Sequence, residues 1–203
     1  MSNINERLSA RKYDSIAKRY DKTSEGKYTA RFGRLILGLC TPAGGDKVLD
    51  VGCGNGRLIN DISQKARIVA FGVDVSPNMI EICRQKYGKI IFKVASGENL
   101  QFDDNSFDWI TVCCVVHHME NPWNFFSEAR RVLKPGGTLI VGEPLYPFGL
   151  RQFFDIAISP FLKAGDNKLF SYKRLAGCFT ESGFEINTVI KKGMKLIIAA
   201  KKA

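Results

Sequence analysis

Lys47-Val48-Leu49-Asp50-Val51-Gly52-Cys53-Gly54-Asn55-Gly56-Arg57-Leu58 is the stretch on which the fold of this chain turns. The run Lys47–Val51 is short and apolar and follows Gly44-Gly45-Asp46, which predicts a buried strand. Glycines then stand at positions 52, 54 and 56, and an apolar-periodic segment from Leu58 predicts a helix. Strand, glycine turn and helix bring backbone N–H groups and a positive helix end to the carboxyl edge of a sheet. Glycine suits the turn because a side chain would hold a ligand off the backbone, and because positive φ is expected there. The third glycine of a dinucleotide fingerprint would fall at position 57, which is arginine. That departure counts against NAD or FAD.

Two carboxylates belong to the same edge. Asp50 lies two residues before the first glycine, and Asp74 closes the next apolar run. An acid ending the second strand can accept two hydrogen bonds from ribose hydroxyls, and Asp50 can meet a cationic amino group directly or through water. The ligand so described has a ribose and an ammonium and needs no pyrophosphate cradle.

Three further segments follow in order: Gly72-Val73-Asp74-Val75-Ser76-Pro77-Asn78-Met79, Phe107-Asp108-Trp109-Ile110, and Arg130-Arg131-Val132-Leu133-Lys134-Pro135-Gly136-Gly137-Thr138-Leu139. With the glycine stretch, they make residues 46–143 resemble the class I S-adenosylmethionine-dependent methyltransferases, nearest their small-molecule, quinone-biosynthesis branch. The resemblance implies a Rossmann-like seven-stranded, mostly parallel α/β sheet of order 3-2-1-4-5-7-6, with an antiparallel last strand and helices on both faces. It implies S-adenosylmethionine as cofactor, S-adenosylhomocysteine as product, and Asp50, Gly52, Gly54, Asn55, Gly56, Asp74, Val75, Ser96, Gly97 and Glu98 as the cofactor site. Look-alikes commonly carry Asp where this chain has Ser96, so either the Ser96 hydroxyl or Glu98 is left to meet the adenine amino group. The resemblance also implies that residues 1–40 fold over cofactor and substrate, with Tyr20-Asp21 matching a dipeptide often found there.

At 203 residues and 45% hydrophobic content the chain suits one domain: a helical cap (1–40), a core (41–143), a lid-like insert (144–170) and a closing helix and hairpin (171–203). No apolar run approaches the roughly 20 residues of a spanning helix, and residues 1–14 lack a signal core, so a cytoplasmic protein is expected. Six cysteines without a C-x-x-C pair and two adjacent histidines predict free thiols and no metal site. The net charge of +10 divides into +5, −1 and +6 over residues 1–40, 41–149 and 150–203. Basic flanks around a neutral core suit anionic acceptors, nucleic acid or transient contact with an anionic membrane, or serve solubility alone.

Two helices are expected before residue 40, then strands at 47–51, 68–73, 90–94, 107–116 and 138–142, alternating with helices from 57, 76 and 121. Ser76-Pro77 is a strong helix start, and Lys134-Pro135-Gly136-Gly137 reads as a helix stop and turn. Right-handed crossovers gather the carboxyl ends at one edge, where the ligand lies. The aromatic segment 144–170, starting at that edge, reads as a lid over the acceptor. Cys113 and Cys114 are expected on opposite faces of the fourth strand, and so are His117 and His118 at its end. One histidine, with His118 favoured, then faces the acceptor as general base or orienting group, and the other is structural. Val116-His117-His118-Met119 stands where amino-methylating nucleic-acid enzymes carry Asn/Asp-Pro-Pro-Tyr/Phe, which favours a small-molecule acceptor. Nucleic acid and a non-catalytic cofactor-binding partner role are the rival readings. The oligomeric state is left open.

Overall fold

The computed structural model describes residues 4–145 and 170–203. Their seven strands form one sheet in the order β3-β2-β1-β4-β5-β7-β6. Strands β1 (Lys47–Val51), β2 (Val69–Asp74), β3 (Ile91–Val94), β4 (Phe107–Cys113) and β5 (Leu133–Pro144) pair in parallel. Strand β7 (Lys195–Lys202) runs antiparallel to both β5 and β6 (Phe184–Lys192). The expected order and closing hairpin are therefore present.

The pleat of β1 sends Val48 into one apolar core and Leu49 into the other. On the first face Val48 meets Phe32 and Ile36 of α2 (Ser24–Leu39), Ile59 and Ile62 of α3 (Arg57–Ser63), and Ile80 of α4 (Pro77–Lys86). On the second, Leu49 belongs with Phe125 and Phe126 of α5 (Pro122–Val132) and Leu175 and Phe179 of α6 (Tyr172–Glu181). All of these side chains are buried, and each contributes about 1.5–3 kcal/mol. Helix starts are fixed locally: the side chains of Thr23, Ser76, Asn121 and Ser171 each accept from a backbone N–H in the first turn of α2, α4, α5 and α6.

Three sequence expectations are corrected. Strand β4 stops at Cys113 instead of reaching residue 116, because Cys114 adopts a left-handed backbone (φ 58°) that breaks the pairing. Residues Val116–His118 form a 3-10 turn, so the alternation expected of the histidines and of the Cys113-Cys114 pair does not apply. Finally, Lys134–Gly137 lies within β5 rather than ahead of it. Phe107 pairs with Leu133 and Trp109 with Thr138, so the residues between them are an excursion in the ladder. The lid-like insert expected at 144–170 lies outside the described residues except at its ends. Among the described residues no helix is long and apolar enough to cross a membrane.

Candidate functional site

The carboxyl ends of β1, β2 and β4 and the loop after β3 open into one cavity. The glycine turn forms its floor. Gly52 has φ 68°, and a Cβ there would lie 2.3 Å from Val115 Cγ2. Gly54 has φ 51°, and a Cβ there would meet nothing nearer than Tyr20 Cε1 at 3.9 Å. Its bare backbone therefore faces open space, a cradle that a side chain would fill. Gly56 does a different job. It lines no part of the cavity, and a Cβ there would press on Cys83 and Tyr87 at 3.0 Å. It lets α3 close on α4.

Asp74 anchors this floor. Its Oδ2 accepts from Gly54 N (2.8 Å) and its Oδ1 from Ser76 N (2.9 Å). Burial pushes its carboxyl above the usual range, against those two backbone hydrogen bonds. Each oxygen keeps acceptor capacity toward the cavity, which suits a pair of hydroxyls. Val75, Met79, Ala95 and Met119 make an apolar wall beside it, of a character that suits a planar ring.

Asp50 lies in an adjoining cleft with Thr29, Asn55 and Leu58. It accepts from Thr111 Oγ1 at 2.8 Å. Burial pushes its carboxyl up to about 7, with Thr111 opposing and Asp74 adding. A cation in the cleft would restore its charge. Tyr20 lines both spaces, its hydroxyl 3.1 Å from Thr29 Oγ1, and burial raises its phenol.

The N-terminal segment is strapped across the cavity. Helix α1 (Ile4–Ile16) carries Asp14, which accepts from Ser76 Oγ and from Asn78 N (3.0 Å), and Glu6, which accepts from Ser96 Oγ. Tyr13 OH lies 3.1 Å from His118 Nε2. Behind it, Asp21 accepts from Asn55 Nδ2 at 2.6 Å and pairs with Arg57 at 3.0 Å. Within the Tyr20-Asp21 dipeptide, Asp21 thus ties to the glycine turn while Tyr20 lines the spaces beside it. Asn55, expected against the cofactor, spends its amide on this tie.

Two other expected contacts sit elsewhere. Glu98 accepts from Glu120 N (2.9 Å) and Asn121 N (3.2 Å) and braces the turn into α5. Ser96 shares with it a separate outer cleft and accepts from Glu98 N, while Ala95 and Gly97 on either side line the main cavity. The geometry thus brings together Gly52, Gly54, Asp74, Val75 and Gly97, sets Asp50 and Asn55 in the adjoining cleft, and leaves Gly56, Ser96 and Glu98 outside.

His118 lines the cavity and His117 does not. Instead of facing apart, their rings lie side by side, tilted by 42° with centroids 4.0 Å apart. His117 Nδ1 meets Glu143 Oε2 at 2.6 Å. Glu143 is buried and also accepts from Val115 N (2.9 Å) and Val116 N (2.8 Å). One carboxylate therefore fixes the whole histidine turn. Cys113 and Cys114 both line the cavity, since the left-handed Cys114 turns the chain after the strand. Among the described residues no cluster of three or more His, Cys, Asp or Glu side chains is placed to hold a metal ion.

Sequence reasoning missed Glu143, Tyr13 and Glu6. The first had a signal: it ends a parallel strand at the ligand edge. The other two lie in the segment expected to fold over the site, but nothing in the sequence singled them out.

The methyltransferase domain family matches residues 49–141. The chain is 30% identical to the ubiquinone/menaquinone biosynthesis C-methyltransferase UbiE of Geobacter sp. (strain M21), with 86% of this chain and 81% of that protein covered. It is 31% identical to a demethylmenaquinone methyltransferase of Tropheryma whipplei, over 74% of this chain and 62% of that relative. In that match the chain spans less than two thirds of the relative's length. Among solved structures, geranyl diphosphate C-methyltransferase from Streptomyces coelicolor superposes with a TM-score of 0.80 over 100% of this chain and 99% of that one, at 12% identity, which speaks to the fold.

Proposed function

Since the chain belongs to the class I S-adenosylmethionine-dependent methyltransferases, we propose that it moves the methyl group of S-adenosylmethionine to a small acceptor and releases S-adenosylhomocysteine. The observation that carries this reading is the meeting of bare Gly54, the Asp74 carboxylate and the apolar wall of Val75 and Met79 in one cavity. Asp74 receives the ribose hydroxyls, Gly54 admits the ligand against the backbone, and Asp50 answers the ammonium from its own cleft. The cofactor, when bound, supplies a methyl on a positively charged sulfur, so the protein need not activate the methyl. Its tasks are alignment and exclusion of water. Tyr13, Tyr20 and α1 serve the second by covering the cavity.

In this reading His118 takes a proton from the acceptor or orients it, which its position on the cavity wall supports. His117 and Glu143 are positioning residues that hold its turn. Quinone methyltransferases among the relatives, together with Tyr13, Tyr20 and Met119 on the cavity wall, support a small, partly apolar acceptor. A nucleic-acid acceptor meeting the basic flanks is the alternative. To decide, purified protein is incubated with methyl-labelled S-adenosylmethionine and cell extract, and label is partitioned among organic-soluble, aqueous, nucleic-acid and protein fractions. Label in either small-molecule fraction supports the reading. Label confined to nucleic acid or protein overturns it.

A further inference from the structure

Helix α1 buries the wrong kind of face for simple packing. Its buried residues are Glu6 and Ser9, and these line the cavity together with Tyr13. The three recur at i, i+3 and i+7, one stripe of a helix. A stripe built only to pack would be apolar, because burying a carboxylate costs free energy unless donors meet it. Glu6 is 9% exposed and lines both the main cavity and the outer cleft, so it stands at the rim between them. Ser96 Oγ donates to it, and a carboxylate can accept from several donors at once. Val75 and Ala95 beside it belong to the apolar wall.

Building on the cofactor reading above, we infer that Glu6 is the residue that recognises the adenine of the cofactor, accepting a hydrogen bond from its 6-amino group. An ionised carboxylate only accepts. It therefore selects a ring that presents N–H at this edge and disfavours one that presents a carbonyl. The specificity determinant would thus come from a separate helix, so that α1 must be docked for the base to be read. Ser96 orients the carboxylate rather than meeting the base.

The test compares S-adenosylhomocysteine with S-inosylhomocysteine, its 6-oxo analogue, by calorimetric titration of the full chain. Wild type should bind the adenosyl form roughly ten- to a hundredfold more tightly. In Glu6→Gln the amide can donate to the 6-oxo group, so the ratio should fall to near unity or invert. Glu6→Ala should flatten it by weakening the adenosyl form alone. An unchanged preference in both variants, or a wild type that does not discriminate, overturns the inference, and the second result needs no variant to fold. A wild type that binds neither compound overturns the cofactor reading as well. Intact adenosyl binding with unaltered selectivity in the variants sinks only the role of Glu6.

Discussion

Alanine at Gly54 and alanine at Gly52 should differ in their consequences, although the two glycines are two residues apart and both left-handed. In either place the new residue is forced to positive φ, at roughly 1–2 kcal/mol. At Gly54 that is nearly the whole structural cost, because the methyl meets nothing closer than 3.9 Å. At Gly52 the methyl would fall 2.3 Å and 2.7 Å from the two Cγ atoms of Val115, at the head of the turn that Glu143 holds. Overpacking of that kind adds about 1–3 kcal/mol. For a chain of this length each kcal/mol is worth about 2–4 °C, so Gly54→Ala should lower the melting temperature by about 5 °C and Gly52→Ala by about 10 °C. Affinity should rank the other way in cause. The Gly54 methyl projects into the cavity, so S-adenosylhomocysteine should bind at least about tenfold more weakly to a chain that is still well folded. Scanning calorimetry and titration calorimetry on the same samples give both numbers. Gly54→Ala with unaltered affinity, or with a melting loss equal to that of Gly52→Ala, would refute the cradle.

Asp50 supplies a pH test. Burial raises its carboxyl from 3.8 to about 7, so the folded chain holds that proton more tightly than the unfolded chain. Stability from this group is therefore lost as pH rises from about 4 through about 7, by on the order of 4 kcal/mol. Urea melts of the ligand-free Asp50→Asn variant should lack that decline, and a wild-type-minus-variant difference independent of pH would rule it out. Should His118 act as general base, His118→Ala lowers turnover by about a hundredfold or more, with a smaller effect from His117→Ala. Losses of only a few fold in both would end that assignment. Glu143→Ala strands the buried Val116 N–H, the part-buried Val115 N–H and the His117 ring, and should cost about 2–4 kcal/mol in denaturant melts. A stability change within error would show that the turn is held otherwise.

The sheet was legible because its signals are local. An apolar run at Lys47–Val51, a glycine turn and a Ser-Pro helix start each act through neighbours in sequence, and their order constrains the crossovers. The same locality set Gly54, Asp74 and Val75 at one edge, and all three line one cavity. Failure began where one backbone torsion outweighed the hydrophobic pattern. Cys113-Cys114-Val115-Val116 reads as unbroken strand, yet Cys114 at φ 58° ends β4 and folds the histidines into a 3-10 turn. Ser96 and Glu98 line a separate cleft for a different reason. Their partners, Glu6 on α1 and Glu120 N and Asn121 N ahead of α5, are distant in sequence. Long-range pairings of polar side chains leave no periodic mark. Only the β5 end hinted at one, in Glu143 standing among the ligand-edge residues.

A crystal structure of the chain grown with S-adenosylhomocysteine tests the central claim most directly. Density is expected in the cavity at the carboxyl edge, with ribose hydroxyls on Asp74, adenine against the wall of Val75 and Met79, and the amino acid end running past Gly54 toward Asp50. Ligand bound away from Gly54 and Asp74, or crystals free of it at saturating concentration, would contradict the account.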